Sequence, residues 1–376
     1  MGGVWGPPLP VSFAHSLFRR GRGIWVWRGS WGFAIASQDS RLGPQLAYNS
    51  LENNTMKAIQ VTTPGGPEVL QLRDVETPKP GAGQVLVKLS AIGVNYMDVY
   101  LRRGDWGGEP PFIPGGEGAG TIEDLGAGVT DFSDGERVAY WGAGSSYAEY
   151  VVVPVEKLIR LPEWILDVDA AAFPIQGMTA HYLVHDFAHV GAGTVVLIHA
   201  VAGGVGLLAT QIAARLSANV FGTTSSEEKA IIAKEAGANE VILYNKIDFA
   251  DEVLRLTNGV GADLILDGVG KSTFPGNFKA AKIRGTVVIF GSSSGQPDPI
   301  APSSLQARSI KLGGGALANF VRTPEELQAR ASDVMNGIRE GWLKTRIEKT
   351  LPLADSAEAH RLLEGRQTSG KLILTV

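Results

Sequence analysis

The amino-acid sequence predicts an α/β protein with two unlike domains, a compact antiparallel β-barrel and a doubly wound parallel sheet. Three observations predict this fold class. The chain has 376 residues, too many for one ordinary core. Short β-rich runs between Gly and Pro turns fill residues 56–155. From about residue 170, continuous apolar strands alternate with helical segments, which is typical of a parallel sheet covered on both faces.

The first 55 residues differ from the rest in composition. They contain five arginines, no lysine, only two acidic residues and half of the eight tryptophans. Arginine-rich, acid-poor segments are typical of organelle transit peptides. However, "NNTMKAIQVTTPGGPEVL" reads like a natural start at Met56, and the preceding residues show no clear strand or helix period. We therefore expect residues 1–55 to be an unstructured or spurious extension without catalytic groups.

The strand and helix segments follow one another in a regular order. The predicted barrel strands are "QVLVKLSAIGVN", "GAGTIEDLGAGV", "GERVAYWG" and "YAEYVVVP". The predicted parallel-sheet unit alternates "TVVLIHA", "GVGLLATQIAARLSA", "NVFGTT", "SEEKAIIAKEAGA", "EVILY", "FADEVLRLTNG", "ADLILDGVG", "FKAAKIRG" and "TVVIFG". "TPEE" predicts a further helix beginning near Thr323, and the tail ends in a strand that we expect to rejoin the first domain.

Charge and cysteine content exclude several classes of function. The net charge is −4 without a basic stripe, which argues against a nucleic-acid partner. The absence of cysteine excludes disulfides, thiolate nucleophiles and cysteine-based zinc or iron–sulfur sites. No uninterrupted apolar run approaches the ~20 residues that cross a bilayer, so we expect no membrane partner and a cytoplasmic location, with organelle targeting by residues 1–55 as the alternative.

A glycine-rich turn lies between the first strand of the parallel unit and its helix. In "HAVAGGVGLLATQIA", Ala202, Gly203, Gly204 and Val205 follow the strand and open the helix. Glycines there let backbone N–H groups approach a pyrophosphate at the positive helix end. We interpret the turn as a dinucleotide site; the alternative is a tight turn without a ligand.

The end of the second strand indicates which dinucleotide binds. An NAD site places Asp or Glu there for the ribose 2′-hydroxyl, whereas this chain has Thr223, Thr224, Ser225 and Ser226, followed by Lys229. Hydroxyl groups and a cation suit a 2′-phosphate, so the sequence favours NADPH. Ser225 is also a candidate cap of the next helix, and both roles can hold at once.

Three rival chemistries are less well supported. "GSSSG" (residues 291–295) matches a hydrolase nucleophile elbow, but three prolines follow in place of the required helix. His181, His185 and His189 have helical metal-site spacing, but the pattern lacks the Glu partner of an H-E-x-x-H motif, and a solvated polar helix face explains it without a metal. None of the eight tyrosines precedes a lysine by four residues, as short-chain reductases require.

An ordered set of motifs resembles the quinone oxidoreductases (zeta-crystallin-like) of the zinc-free medium-chain dehydrogenases/reductases. The set comprises "GGPEVL" (65–70), "GVNYMDVYLRRG" (93–104), "PGGEGAGTIEDLGAGV" (114–129), "GERVAY" (135–140), "AGGVG" (202–206) and "GRQTSGKLIL" (365–374). The likeness covers residues 56–376. It implies a GroES-like β-barrel catalytic domain (56–180 and 320–376), a Rossmann-type NADP-binding domain (181–319), NADPH as cofactor and a homodimer.

The resemblance also implies that no metal takes part. Zinc-dependent relatives have a cysteine where this chain has Asn95 and a histidine where it has Gly116. Without these ligands, nothing here supplies a Lewis acid to an alcohol oxygen.

The resemblance implies roles for individual residues. Those expected to hold the acceptor beside the nicotinamide and to stabilise developing charge are Asn95, Asp98, Tyr100 and Arg102. Those expected to contact the cofactor are Thr179, Tyr182, Ala202, Gly203, Gly204, Val205, Thr224, Ser225, Lys229, Tyr244, Phe290, Gly291, Ser292, Ser293, Arg366 and Lys371. Two plainer alternatives stay open: Asp98 and Arg102 as a surface ion pair on a short helix, and Tyr244 as ordinary strand packing.

Two departures from the family pattern concern the acceptor. Trp106 stands where a tyrosine is common, and "GGGALANF" (313–320) replaces a Thr-Arg-Pro run with a later tyrosine. We therefore expect an aromatic substrate pocket formed by Trp106, Trp141 and Phe320, which favours bulkier or alkenal-type acceptors.

The resulting hypothesis is zinc-independent, NADPH-dependent reduction of quinones. Reduction of activated C=C bonds in alkenals, enones or enoyl compounds is the alternative, and a dinucleotide-binding structural or interaction protein is the non-enzyme alternative.

Overall fold

A computed structural model describes residues 55–376, together with three short strands before them. These are β1 (Arg19–Arg20), β2 (Ile24–Gly29) and β3 (Gly32–Ser37), which form an antiparallel sheet. Residues 1–54 and 55–376 are separate compact units. Most of the predicted unstructured extension lies outside the described residues, although the three strands are regular structure that its pattern did not indicate.

The second unit contains fifteen further strands and nine α-helices. The strands are β4 (Thr55–Gln60), β5 (Gln71–Glu76), β6 (Gln84–Val94), β7 (Glu117–Leu125), β8 (Arg137–Trp141), β9 (Tyr150–Pro154), β10 (Leu158–Arg160), β11 (Val195–Ile198), β12 (Asn219–Thr224), β13 (Glu240–Leu243), β14 (Ala262–Asp267), β15 (Ala281–Ile289), β16 (Lys311–Gly314), β17 (Ile347–Pro352) and β18 (Lys371–Thr375). The helices are α1 (Tyr96–Arg103), α2 (Asp167–Ala170), α3 (Pro174–His185), α4 (Gly204–Arg215), α5 (Glu227–Glu235), α6 (Phe249–Leu256), α7 (Phe274–Ala280), α8 (Pro324–Arg339) and α9 (Ser356–Glu364).

A seven-stranded, largely antiparallel sheet forms the barrel. Its order is β10-β8-β7-β6-β18-β17, with β9 also paired to β6. The last strand, β18, lies between β6 and β17, antiparallel to the first and parallel to the second. The prediction that the tail rejoins the first domain is therefore confirmed.

A six-stranded parallel sheet is the second large sheet of residues 55–376. Its order is β13-β12-β11-β14-β15-β16. All strands of this sheet run parallel, but the direction in which successive strands are added reverses between β11 and β14. A crevice therefore opens at the carboxyl ends of these two strands. The fold class predicted from the sequence is confirmed, while the predicted domain boundaries at residues 180 and 319 stay predictions.

Two predicted helix boundaries have different outcomes. The predicted helix start near Thr323 is confirmed, because its side chain caps α8 by accepting from the Glu326 N–H. The segment "FKAAKIRG" is not wholly helical: α7 ends at Ala280, and Ala281 already pairs with Ala262 of β14. Strand pairing here overrides the helix propensity of the alanines. Across the described part of the chain, no helix is long and apolar enough to cross a membrane.

Gly206 sets how closely α4 approaches the turn beneath it. A Cβ at this position would lie 2.6 Å from the Ala200 carbonyl oxygen and 2.7 Å from that of Val201. Neither backbone atom can move without shifting the strand end. We predict that Gly206→Ala lowers the free energy of unfolding by about 1–3 kcal/mol, measured by urea denaturation.

Gly191→Ala is the matched control, since a Cβ there meets nothing within 4 Å. We expect it to change stability by less than about 0.5 kcal/mol. Equal stabilities of the two variants would contradict the close packing of α4.

Candidate active site

The glycine-rich turn occupies the crevice between β11 and β14. Gly203 is the N-cap of α4, and no side chain caps this helix. A Cβ on Gly204 would meet Gln176 Oε1 at 1.8 Å, so the Gln176 side chain can pack against the turn only because this residue is glycine. The N–H groups of the first turn, which have no intrahelical partners, are thus open to an anionic group. The turn fits a pyrophosphate.

The C-terminal turn lies against the same glycines. Gly203 forms a parallel bridge with Gly370. Lys229 Nζ, from α5, donates to the carbonyl oxygens of Arg366 and Thr368 at 2.7 and 2.9 Å. Four predicted cofactor residues from three separate stretches of the sequence, Gly203 and Gly204, Lys229, and Arg366, therefore share one region of the molecule.

The end of β12 carries hydroxyl groups and no carboxylate. Thr223 and Thr224 are buried, and the Tyr244 N–H donates to the Thr224 carbonyl at 3.2 Å, which brings the exposed Tyr244 side chain to this strand end. The predicted capping role of Ser225 is wrong by one position. Ser226 is the N-cap of α5 and accepts from the Lys229 N–H, so Ser225 retains its hydroxyl for another partner.

The loop after β15, residues 290–295, will be called the serine loop. It contacts α1 of the barrel through two tyrosine hydroxyls. Ser292 N–H donates to Tyr100 Oη at 3.0 Å, and Tyr96 Oη donates to the Ser293 carbonyl at 3.1 Å. The next helical segment is the 3-10 turn Pro302–Arg308, so the "GSSSG" run has no helix directly behind it. This geometry does not suit a nucleophile elbow.

The predicted aromatic pocket is divided between two clusters. Trp106 is 56% exposed and packs on Tyr100 at a ring separation of 4.9 Å. Phe320 is stacked on Tyr182 at 4.1 Å and 1°, with Thr179 one turn earlier on α3. Trp141 lies at the end of β8 and packs against the same hydrophobic core cluster as Phe320. The ring contacts of the described residues do not join Trp106, Trp141 and Phe320 to one another.

Lys371 does not reach towards the cofactor phosphates as predicted. It is 1% exposed, forms an ion pair with the wholly buried Glu117, and donates to Asn95 Oδ1 at 2.8 Å. Asn95 Nδ2 in turn donates to Glu117 Oε1 at 2.6 Å. Both ends of the Asn95 side chain are therefore used inside the barrel, because a buried ion pair needs all its lone pairs and protons satisfied.

Asp98 and Arg102 are also buried and do not face the cleft as predicted. Arg102 makes a bidentate ion pair with Glu364 at 2.8 and 2.9 Å, and its Nη1 donates to His360 Nδ1. The surface-pair alternative is wrong as well, since Arg102 is 1% exposed and its partner is not Asp98.

A directed chain of hydrogen bonds connects these two residues. His360 Nδ1 accepts from Arg102, so the neutral ring carries its proton on Nε2 and donates to Tyr147 Oη at 3.0 Å. Burial, with the Arg102 charge adding to it, lowers the pKa of His360 to about 3, which keeps the ring neutral. Tyr147 then donates to Asp98 Oδ2 at 3.2 Å. Burial raises the pKa of Asp98 to about 7, although the Asn95 N–H opposes the shift.

The three histidines considered for a metal site do not share one helix face, because α3 ends at His185 and His189 lies beyond it. His181 accepts from Arg330 at 2.7 Å, and burial lowers its pKa to about 4. Its ring lies 4.4 Å from that of His185. Within residues 55–376, no group of three His, Cys, Asp or Glu side chains is placed to hold a metal ion.

Sequence reasoning missed Tyr96, Tyr147, His360 and Glu364. The role of Tyr96 could have been predicted from the sequence, because Tyr96 and Tyr100 are four residues apart and face the same side of a helix. Tyr147 and His360 carry no local signal, since they are 213 positions apart.

The buried ion pair yields a stability prediction. Lys371→Met leaves the carboxylate of Glu117 buried without a counter-charge, and we expect it to lower the free energy of unfolding by about 3–5 kcal/mol. The double variant Glu117→Gln/Lys371→Met removes both charges and should regain a large part of this loss in urea unfolding. A double variant no more stable than the single one would contradict the electrostatic explanation.

Asp98 yields a prediction of pH dependence. Its folded-state pKa of about 7 lies above the ordinary value of 3.8, so its contribution to stability is complete below about pH 4 and is lost as pH rises through 7. Relative to Asp98→Asn, the wild type should lose stability between pH 4 and 7 and then level off, as measured by urea unfolding at several pH values. Asp105→Asn, at an exposed position just beyond the C-terminal end of α1, is the control and should parallel the wild type. The same parallel course for Asp98→Asn would contradict the prediction.

Comparisons with known proteins agree with this architecture. A family model described as "Alcohol dehydrogenase GroES-like domain" matches residues 81–163, and one described as "Zinc-binding dehydrogenase" matches residues 204–335. A quinone oxidoreductase of Pseudomonas aeruginosa is 39% identical over 323 residues, covering 85% of this chain and 99% of that protein. A 2-haloacrylate reductase of Burkholderia sp is 38% identical over 319 residues, covering 82% and 96%. The crystal structure of Escherichia coli quinone oxidoreductase complexed with NADPH has a TM-score of 0.83 and 32% identity, covering 85% of this chain and all of that one, 100%. The chain therefore belongs to the quinone oxidoreductase family of the medium-chain dehydrogenases/reductases.

Proposed function

We propose that this protein is an NADPH-dependent, zinc-independent reductase of quinones. The observation that carries the proposal is the crevice itself, where an uncapped glycine turn, a carboxylate-free strand end and Lys229 lie together at the switch point of the parallel sheet. The E. coli relative whose structure was determined with NADPH supports the choice of cofactor.

Different residues of the chain would bind different parts of NADPH. The first turn of α4 would hold the pyrophosphate, with Lys229 and the hydroxyls of Thr224 and Ser225 around the 2′-phosphate and Tyr244 beside the adenine. The serine loop would offer its backbone to the nicotinamide. Bound NADPH supplies hydride to an acceptor that is already electron-poor, so the protein contributes mainly orientation and charge stabilisation.

The buried network changes the assignment of catalytic groups. Asn95, Asp98 and Arg102 would act by holding α1 in place, whereas Tyr100 is the predicted residue of this group whose hydroxyl reaches the cleft. We propose Tyr100 as the hydrogen-bond donor to the acceptor oxygen. Its neighbour Trp106 would cover the acceptor.

Reduction of activated C=C bonds is the second candidate. A 2-haloacrylate reductase is among the relatives, and the exposed Trp106 provides an apolar surface for an alkene acceptor. A panel of quinones, enones and 2-haloacrylates assayed by NADPH consumption separates the two candidates, because only the preferred class should show a high kcat/KM. Each assay is repeated with EDTA, and alcohols are tested separately by the formation of NADPH from NADP+; alcohol oxidation that EDTA abolishes would overturn the zinc-independent mechanism.

Two further parts of the proposal rest on the family and the composition. We propose a homodimer in the cytoplasm that binds neither nucleic acid nor membrane, with targeting by residues 1–55 as the alternative location. Sedimentation of the full chain measures the first, and fractionation of cells expressing it measures the second.

Lys229 provides the sharpest test of the cofactor. Lys229→Glu places a carboxylate beside the proposed 2′-phosphate and should weaken NADPH binding by about 10–100-fold more than NADH binding. The comparison with NADH is essential, because Lys229 also holds the C-terminal turn and its loss from that role affects both cofactors equally. Lys234→Glu, exposed on the same helix, is the control. Equal losses of NADPH and NADH affinity would remove the 2′-phosphate assignment.

A further inference from the structure

Two tyrosine hydroxyls of α1 form hydrogen bonds to consecutive residues of the serine loop, one as the acceptor and the other as the donor. Tyr100 accepts from the Ser292 N–H, and Tyr96 donates to the Ser293 carbonyl. The two rings lie 5.2 Å apart in an edge-on arrangement. Together they satisfy one donor and one acceptor of the loop backbone from a single helix face.

Each side of this contact is anchored to a different sheet. The first turn of α1 is held in the barrel by Asn95, which is fixed by Glu117 and Lys371. The serine loop is held on the parallel sheet, where Ser293 and Ser294 donate to the carbonyls of Gly268 and Val269 at 3.3 and 2.8 Å. The tyrosine hydrogen bonds therefore span the cleft between the two sheets.

Tyr96 has an environment that keeps its hydroxyl protonated. Its side chain is partly buried, and burial raises the pKa of the phenol, with Tyr100 and Glu364 adding to the shift and Arg103 and Arg366 opposing it. A protonated hydroxyl can donate to the Ser293 carbonyl at all ordinary pH values.

We propose that Tyr96 is a positioning residue that sets the serine loop, and with it the nicotinamide side of the cleft, at a fixed distance from α1. The proposal rests on the proposed function, because it assigns the serine loop to the nicotinamide half of NADPH. Tyr96 acts on the nicotinamide through this loop. The adenosine half would instead be held at the end of β12, by Thr224 and Lys229.

The test separates the two halves of the cofactor. Tyr96→Phe keeps the ring and removes the hydroxyl. We expect it to raise the Kd for NADPH about 3- to 10-fold, as the loss of one such hydrogen bond implies, and to leave the Kd for adenosine 2′,5′-bisphosphate unchanged. In turnover, kcat/KM for the acceptor should fall because the nicotinamide is held less precisely.

Tyr150→Phe is the matched control. Tyr150 is a partly buried tyrosine on β9, in the barrel sheet, with Lys88 over its ring. It should leave both dissociation constants unchanged. The urea midpoint of each variant is measured alongside.

The outcomes are distinct. Equal weakening of NADPH and of adenosine 2′,5′-bisphosphate by Tyr96→Phe would show a general structural effect and overturn the proposal, as would no effect on either ligand. A loss of NADPH affinity alone supports it. If the wild type binds NADPH but reduces no acceptor, the proposed function fails, while the binding comparison still decides the role of Tyr96.

Discussion

The buried pairing of Lys371 with Glu117 is the interaction on which the rest of the barrel depends. It joins the last strand to β7 in the middle of the sheet and, through Asn95, to the beginning of α1. A buried charge pair contributes little net stability compared with apolar residues, but it is very costly to break one side of it. Its effect is therefore on register, since β18 can take only the position at which the ammonium meets the carboxylate.

The second buried network extends this control along α1. Hydrogen bonds that run from Arg102 through His360 and Tyr147 to Asp98 hold the buried face of the helix. Glu364 pairs with Arg102 at the other end of this network. With that face fixed, the opposite face presents its two tyrosines to the serine loop. The charged and amide groups form their hydrogen bonds inside the barrel. The two phenols, each with an apolar ring and a polar hydroxyl, reach the cleft.

The sequence was most informative where function depends on local backbone form. The strand, glycine turn and helix of residues 195–215 form one continuous unit, so their order alone indicated the dinucleotide crevice. The helix start at Thr323 was predictable for the same reason, since a cap acts within three residues. Lys371 and Arg102 were misplaced because their partners, Glu117 and Glu364, are 254 and 262 positions away, and a charged residue in a motif gives no sign of whether it faces solvent or a buried partner.

The position of β18 between β6 and β17 also determines the order in which the molecule can be completed during synthesis. All six strands of the parallel sheet precede residue 315 and can assemble while the chain is still on the ribosome. The barrel begins earlier in the sequence, yet residues 91–94 of β6, beyond the part that pairs with β9, keep an open edge until Lys371–Thr375 emerges from the exit tunnel. Until then this part of the barrel has an unpaired strand edge, the state in which association with another chain competes with correct closure.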